Sequence, residues 1–247
     1  MATNPMHQFE VHRIGPSLSI NGIDLSFTNS SLFMLISSVL IIIFFIAGTR
    51  KVNIVPGKIQ LLNELVFNFI SKMINETVGP NARPYFPFIL TIFLFILTLN
   101  MIGLLPYAFT VTSQIIITFF LAIVIFIGVT IVGFAKNGIG FLKIFAPSGV
   151  PIFLFPIIVA IEIISFLSRP VSLSVRLFAN MLAGHTMLKV FGGFVVSLGI
   201  IGGWLPLSFS VALTALEILV AFLQAYVFAV LSCIYLNDAL NMHHLKN

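Results

Sequence analysis

Apolar residues dominate the chain in long blocks, and the breaks between blocks carry its turns and its charges. Residues 25–49 contain no Asp, Glu, Lys or Arg, and Leu32 to Ala47 is their densest apolar run. A helix needs about 20 apolar residues to cross ~30 Å of hydrocarbon. This block predicts a first membrane-spanning helix, closed by Arg50 and Lys51. From Pro84 to Ala135 no side chain is ionised. That stretch is too long for one crossing and predicts two. Pro106, Thr110, Thr112, Ser113 and Gln114 place the break between Gly103 and Gln114. Lys136 and Lys143 close the third span, and Gly138, Gly140, Pro147, Gly149 and Pro151 mark a loop.

Residues 56–81 follow a different pattern. Ile59, Leu62, Val66, Phe69 and Met73 recur at steps of three and four, and Leu65 and Ile70 widen the stripe. Lys58, Asn63, Glu64, Asn68, Lys72 and Glu76 occupy the other side. The periodicity predicts an amphipathic helix lying at a membrane surface or against a partner.

Two long apolar segments remain, about Ile152 to Leu188 and about Trp204 to Leu240, separated by Gly192, Gly193, Gly199, Gly202 and Gly203. Each would exceed about 50 Å as a continuous helix, far beyond an upright crossing. They must be strongly tilted, broken or re-entrant, with Pro170 as a kink site in the first. The expected fold class is all-α: a polytopic membrane protein with about five membrane-embedded helices and an amphipathic interfacial helix. The last two embedded helices, within residues 152–240, are long and tilted. The chain reads as a single membrane domain, 1–247. Its first 24 residues carry Glu10, Arg13 and Asp24, have no apolar core, and form a retained extramembrane segment.

Composition agrees with the pattern. The 247 residues are 59% hydrophobic and 8% charged, where an average soluble domain is about 25% charged. This excludes a water-soluble globule and a disordered chain alike, and makes the lipid bilayer the natural solvent. One Cys permits no internal disulfide. The net charge of +5 does not imply a nucleic-acid partner, because the basic residues cluster between the spans. The 49–84 loop carries Arg50, Lys51, Lys58, Lys72 and Arg83, the 136–151 loop carries Lys136 and Lys143, and the 108–114 loop carries none. The two basic loops therefore share the cytoplasmic side, with the N-terminus outside and the C-terminus inside.

The few charges within the apolar segments are the candidate chemistry. Burying one at mid-bilayer costs at least ~2.5–3.5 kcal/mol on insertion scales. Glu162, Arg169, Arg176, His185, Lys189 and Glu217 lie in the long segments or at their margins. Arg176 shares a helical face with Ser172 at i−4, Asn180 at i+4 and Ala183 at i+7. This small, polar stripe admits a neighbouring helix and water. Arginine stays protonated, so it can attract a carboxylate but cannot relay a proton. The competing role is a static salt bridge within the chain.

Glu162, Arg169 and Arg176 repeat at i+7. Glu162 either pairs with Arg169 or accepts a proton near the cytoplasmic end. His185 lies about half a turn away from Arg176 and is expected to meet Glu217, the acidic residue embedded in the last segment. A carboxylate and an imidazole together exchange protons near neutral pH. Gln224 shares the face of Glu217 and either orients a neighbour or acts as interhelical glue. Ala221, Ala225, Ala229 and Cys233 form a packing face, and Lys189 is placed to snorkel to the outer interface. His243 and His244 lack a further ligand set and read as a solvated tail, so no metal site and no cofactor are expected. A phosphate-binding glycine loop, a zinc-type helix motif and a nucleophile elbow are absent from the sequence.

The segment Arg169-Pro-Val-Ser-Leu-Ser-Val-Arg176-Leu-Phe-Ala-Asn180-Met-Leu-Ala-Gly-His185 resembles the signature of subunit a (subunit 6) of the F-type ATP synthase. Leu216-Glu217-Ile-Leu-Val-Ala221-Phe-Leu-Gln224-Ala225-Tyr226-Val-Phe resembles that family's final helix. The resemblance extends over nearly the whole chain from about residue 25.

It implies a non-catalytic stator subunit of F0 beside a rotating c-subunit ring, with subunit b and the peripheral stalk, the other synthase subunits and the lipid bilayer as partners. It implies that Arg176 stands between two offset half-channels, meets the ring carboxylates and blocks a direct proton leak. Glu217, His185, Asn180 and Gln224 match positions of the outer half-channel or the arginine's surroundings, and Glu162 matches one of the inner half-channel. Arg169 and Ser172 are supporting candidates. Family members carry the His and acidic residues at the 185 and 217 positions in either order.

Met6-His7-Gln-Phe-Glu10 and Ser26-Phe-Thr-Asn-Ser-Ser-Leu-Phe-Met34 resemble alphaproteobacterial and some mitochondrial members, which implies a bacterial cell inner membrane or, alternatively, a mitochondrial inner membrane. A secondary transporter with an intramembrane ion pair is the reading from another class. Inverted repeats would favour it, and no internal repeat is visible in the sequence.

Overall fold

The computed structural model describes residues 9–14, 19–20, 23–24, 26–50, 53–105, 108–145 and 154–240. Two two-residue strands, β1 (Ser19–Ile20) and β2 (Ile23–Asp24), pair antiparallel in the N-terminal segment. Six α-helices follow: α1 (Asn29–Thr49), α2 (Lys58–Thr77), α3 (Phe86–Gly103), α4 (Ile115–Asn137), α5 (Phe155–Gly202) and α6 (Trp204–Leu240). Five regions are long and apolar enough to cross a membrane: Asn29–Thr49, Ala82–Gly103, Ile115–Leu142, Phe155–Gly199 and Trp204–Leu240. The expected number and order of spans are therefore found. The chain is an all-α, multi-pass membrane protein apart from the small N-terminal hairpin.

The expected break between the second and third spans is present. A 3₁₀ turn at Val111–Ser113 lies in the connector between α3 and α4. The first span starts at Asn29 because Thr28 caps it, its Oγ1 accepting from the Ser31 N–H at 3.3 Å. The N-terminal segment packs on the same end of the bundle as the uncharged connector, where Gln114 Nε2 donates to the Phe9 carbonyl at 2.7 Å. At the other end, Asn137, the last residue of α4, donates to the Ala239 carbonyl of α6.

The helix α6 is the centre of the bundle and packs against α5, α4, α3 and α2. The expected small-residue face is the contact surface: Ala221, Ala225, Ala229 and Cys233 are all fully buried. Small side chains let backbones approach, which replaces the hydrophobic drive that lipid removes. Phe93, Phe228, Ile89 and Ile96 fill the space beside them. By contrast, Leu35, Val39, Ile42, Ile43 and Ile46 of α1 are exposed, as a lipid-facing helix requires.

The amphipathic helix is where expected, but its faces are partly reversed. Ile59, Leu62, Leu65 and Phe69 are exposed, whereas Gln60 and Asn63 are buried. Gln60 bonds the Asn53 backbone and Glu64, and Asn63 Nδ2 donates to the Phe44 carbonyl of α1 at 3.1 Å. In water the apolar stripe would turn inward. In a bilayer the interior is where polar groups find partners, so the first half of α2 turns its amides in and its apolar side chains out. Its second half, with Ile70, Met73 and Ile74, packs inward in the ordinary sense.

The last two helices differ from expectation at their junction. Only the second half of the glycine-rich stretch, Gly199, Gly202 and Gly203, separates them. Helix α5 runs for 48 residues through Pro170, Gly192 and Gly193, and its backbone leaves helical geometry only at Gly199 (φ 62°, ψ −160°). Pro170 is buried and lies inside the helix, without non-helical dihedrals there. Gly192 and Gly193 stay helical because their flanking aromatics dock: Phe191 stacks on Phe209 of α6 at 5.9 Å and 19°. The whole turn between the two helices is then Gly199 to Gly203. With lengths of 48 and 37 residues, both exceed what ~30 Å of hydrocarbon demands. The His243–His244 tail lies outside the described residues.

The α1–α2 contact has a tight spot. A Cβ on Gly48 would fall 1.5 Å from Asn63 Nδ2. Thermal denaturation of the detergent-solubilised chain should show Gly48→Val and Asn63→Ala both destabilising, the latter by about 1–2 kcal/mol for one interhelical hydrogen bond. Asn63→Ala in the Gly48→Val background should relieve part of the clash. A Gly48→Val protein as stable as its parent would refute the contact.

Candidate functional site

Glu162, Arg169, Ser172, Arg176, Asn180 and His185 fall on α5 and Glu217 and Gln224 on α6, and the packing of these helices decides which of them meet. The pattern is one of cross-helix polar pairs stacked along the interface. Near its middle, Asn180 Nδ2 of α5 donates to Gln224 Oε1 of α6 at 3.2 Å. Two turns of α6 earlier, Glu217 is 5% exposed. His185 Nε2 approaches its Oε1 at 3.5 Å, the expected partnership of the two residues. Near the other end of α6, Arg169 Nη1 reaches Asp238 Oδ2 at 3.3 Å.

This last pair settles what sequence periodicity left open for Arg169. Its partner is Asp238, not Glu162. The arginine also lies over the rings of Tyr235 at 4.8 Å and Phe166 at 5.5 Å. An arginine between a carboxylate and two aromatic faces is held by several modest interactions at once. Glu162 is half-buried, with no hydrogen bond or ion pair to another described residue. Asp238 was missed by the sequence reading because it falls at the end of an apolar segment, where a charge needs no special explanation.

Arg176 is exposed, and so are Ser172, Ala179, Asn180 and Ala183 on the same side of α5. The small polar stripe is therefore an outer surface of the bundle. No ion pair or hydrogen bond joins Arg176 to another described residue, so the static in-chain salt bridge is not formed among them. The next residue, Leu177, is fully buried, as are Leu173 and Met181. These apolar anchors seat α5 in the bundle and fix the direction in which Arg176 projects.

The polar interior continues beyond the sequence-singled residues. The two Glu217 carboxylate oxygens and Gln224 Nε2 are buried and make no hydrogen bond to another described residue. Asn100 of α3, fully buried, donates to the Ala221 carbonyl of α6 at 3.3 Å. Thr110 of the connector sits 3.2 Å from His185 Nε2. In the sequence Thr110 signalled only a turn, and its role becomes visible only when the connector folds over α5. Gly184 was silent in the sequence as well. A Cβ there would fall 2.5 Å from Glu217 Oε1, so the missing side chain is what lets the carboxylate lie against α5. Among the described residues no group of three or more His, Cys, Asp or Glu side chains could hold a metal ion.

Comparison with known proteins gives a consistent result. The family model described as ATP synthase A chain matches residues 31–237. ATP synthase subunit a of Pelagibacter ubique is 70% identical over 244 residues, covering 99% of this chain and 100% of its own length. Its counterpart in Parvibaculum lavamentivorans is 56% identical over 247 residues, covering 98% and 95%. That of Rhizobium rhizogenes is 55% identical over 247 residues, covering 98% of each chain.

The Gly184–Glu217 contact predicts coupling between the two positions. Gly184→Val should destabilise the solubilised chain by about 1–3 kcal/mol, the usual range for overpacking. Replacing the carboxylate by a shorter hydroxyl side chain with Glu217→Ser in the same chain should remove part of that loss, with a coupling above ~0.5 kcal/mol in a double-mutant cycle. Strictly additive effects would show that the two residues do not touch.

Proposed function

The chain belongs to the family of ATP synthase subunit a, a membrane subunit of the F0F1 complex, and we propose that it is the stationary, non-catalytic element that conducts protons past a rotating ring of c subunits. The observation that carries this reading is Arg176. It is exposed on a membrane-spanning helix, on a stripe of small residues, with no hydrogen bond or ion pair to another described residue. An unpaired arginine facing hydrocarbon is costly. A ring of carboxylates moving past the stripe would supply the missing counter-charge, and Ser172, Ala179 and Ala183 would let its helices approach closely.

The proton path follows from the order of groups along α5 and α6. His185 and Glu217, in contact and largely buried, form the proton-exchanging pair of the outer half-channel. Asn180 and Gln224, bonded to each other, lie on α5 and α6 between that pair and the level of Arg176. Glu162, about four turns of α5 from Arg176 in the opposite direction, belongs to the inner half-channel, with the Arg169–Asp238 pair nearby on that side. A ring carboxylate gives up its proton near Arg176, passes as an anion, and regains a proton from the other half-channel. Because guanidinium cannot deprotonate, Arg176 separates the two half-channels without offering protons a bridge.

The two basic loops put α2 and the end of α6 on the cytoplasmic side, and the N-terminus and the α5–α6 turn outside. The bacterial relatives favour the cell inner membrane. The exposed apolar residues of α1 and α2 face lipid and the peripheral-stalk subunit b.

Two measurements test the assignment. Arg176→Ala should abolish ATP-driven acidification of inverted membrane vesicles while the complex still assembles, and normal coupled pumping by the variant would sink it. For the pair, exchanging both residues (His185→Glu with Glu217→His) should retain more proton flux than either single exchange. A double variant no better than the worse single one would count against direct coupling.

A further inference from the structure

The imidazole of His185 has a second neighbour besides Glu217. Thr110 is 5% exposed and comes from the connector between α3 and α4, not from either long helix. Its Oγ1 lies 3.2 Å from His185 Nε2, and the same nitrogen lies 3.5 Å from Glu217 Oε1. One ring nitrogen thus stands between a hydroxyl and a carboxylate.

Thr110 is itself fixed. Its hydroxyl donates to the Gly103 carbonyl at the end of α3, at 3.4 Å. That hydrogen bond uses the hydroxyl proton and leaves an oxygen lone pair for the imidazole. Its own carbonyl accepts from Ser113 Oγ at 2.6 Å, which locks the connector. Gly103 makes the approach possible, since a Cβ there would fall 3.0 Å from Thr110 Cγ2. The charged groups around the imidazole are Glu217 from α6 and Lys189, one turn further along α5.

Resting on the reading of His185 and Glu217 as a proton-exchanging pair, we propose that Thr110 is a positioning residue that accepts the His185 Nε2–H whenever Glu217 does not. With Glu217 ionised, the N–H is shared toward the carboxylate. When Glu217 takes up a proton, the carboxyl needs no N–H donor, and the imidazole would carry a buried, unmatched N–H. The Thr110 oxygen removes that penalty. It thereby evens the two protonation states of the pair, so the proton can be passed on as readily as it is received. No proton moves onto Thr110. Its hydroxyl proton stays on Oγ1, directed at the Gly103 carbonyl, throughout.

The test uses the intact complex in inverted membrane vesicles, reading ATP-driven proton pumping and passive F0 proton conductance against pH. Thr110→Val keeps the shape and removes the acceptor. The N–H then has only Glu217, which favours the ionised carboxylate. Conductance should fall about 2- to 10-fold, the range one neutral hydrogen bond carries. The acid-side half-point of its pH profile should move down by at least about half a unit, roughly threefold in proton concentration. Thr110→Ser, which restores the oxygen, should return both towards the parent. If Thr110→Val does not assemble, Thr110→Ala, smaller than the native side chain, carries the same expectation.

A parental pH profile in the acceptor-less variant would overturn the proposal, and so would a Thr110→Ser variant as impaired as Thr110→Val. Glu217→Gln in parallel separates the two levels. Unchanged conductance in that variant would overturn the proton-pair reading itself. Its loss beside a parental Thr110→Val would overturn the role of Thr110 alone.

Discussion

Hydrocarbon offers a polar side chain nothing to bond to, and this single fact orders the whole molecule. In water, amides and carboxylates would face outward and apolar groups inward. Here the direction is inverted wherever a polar group has no loop to retreat to. Asn63 turns into the bundle to reach the Phe44 carbonyl, Asn100 turns in to reach Ala221, and Asn180 finds Gln224 across the α5–α6 interface. Each bond is modest by itself, about 1 kcal/mol in a membrane. Together they choose which faces of the helices meet, because the apolar surfaces are nearly indifferent between a neighbour and lipid. Helix α6 occupies the centre because it combines the flattest small-residue face with buried polar groups at Glu217 and Gln224.

Against that background, Arg176 is the exception that carries meaning. Arg169, Asn180 and His185 on the same helix meet Asp238, Gln224 and Glu217 of α6, whereas Arg176 looks outward on a surface kept small and polar. A charge that the chain could have paired internally is instead presented to whatever lies beside the bundle. The reading as a stator facing a ring of carboxylates follows from this one unmet requirement, together with membership of the subunit a family.

Much of this was legible in the sequence, for identifiable reasons. The spans were visible because charge is scarce and marks their ends, as at Arg50 and Lys136. The His185–Glu217 contact was legible because only one acidic residue is embedded in the final segment, so the imidazole had one candidate. What could not be read was anything set by three-dimensional proximity without a chemical signature. Thr110 looked like a turn residue, Gly184 like an unremarkable small residue, and Asp238 like the end of a segment, so Arg169 could have paired with Glu162 just as well. The covered face of α2 is only partly legible because helical periodicity locates an apolar stripe without saying whether protein or lipid covers it. The glycine-rich stretch reads as a gap along its whole length because glycine weakens a helix in water. Here Phe191 docked on Phe209 holds the helix through Gly192 and Gly193.

The turn between the two long helices has a mechanical side. Gly199 holds a backbone conformation that is essentially confined to glycine. Gly203 approaches so closely that an added Cβ would lie 2.5 Å from the Gly199 carbonyl oxygen. The corner is thus a few residues long, hydrogen-bonded from Gly203 N to Gly199 O at 2.9 Å, with no slack loop. In the proposed role, a stationary part working beside a moving ring would be dragged sideways at every step. A long flexible connection would absorb that drag as bending. In that role a corner this short would pass the load from α5 directly into α6, the helix that packs against α2, α3, α4 and α5.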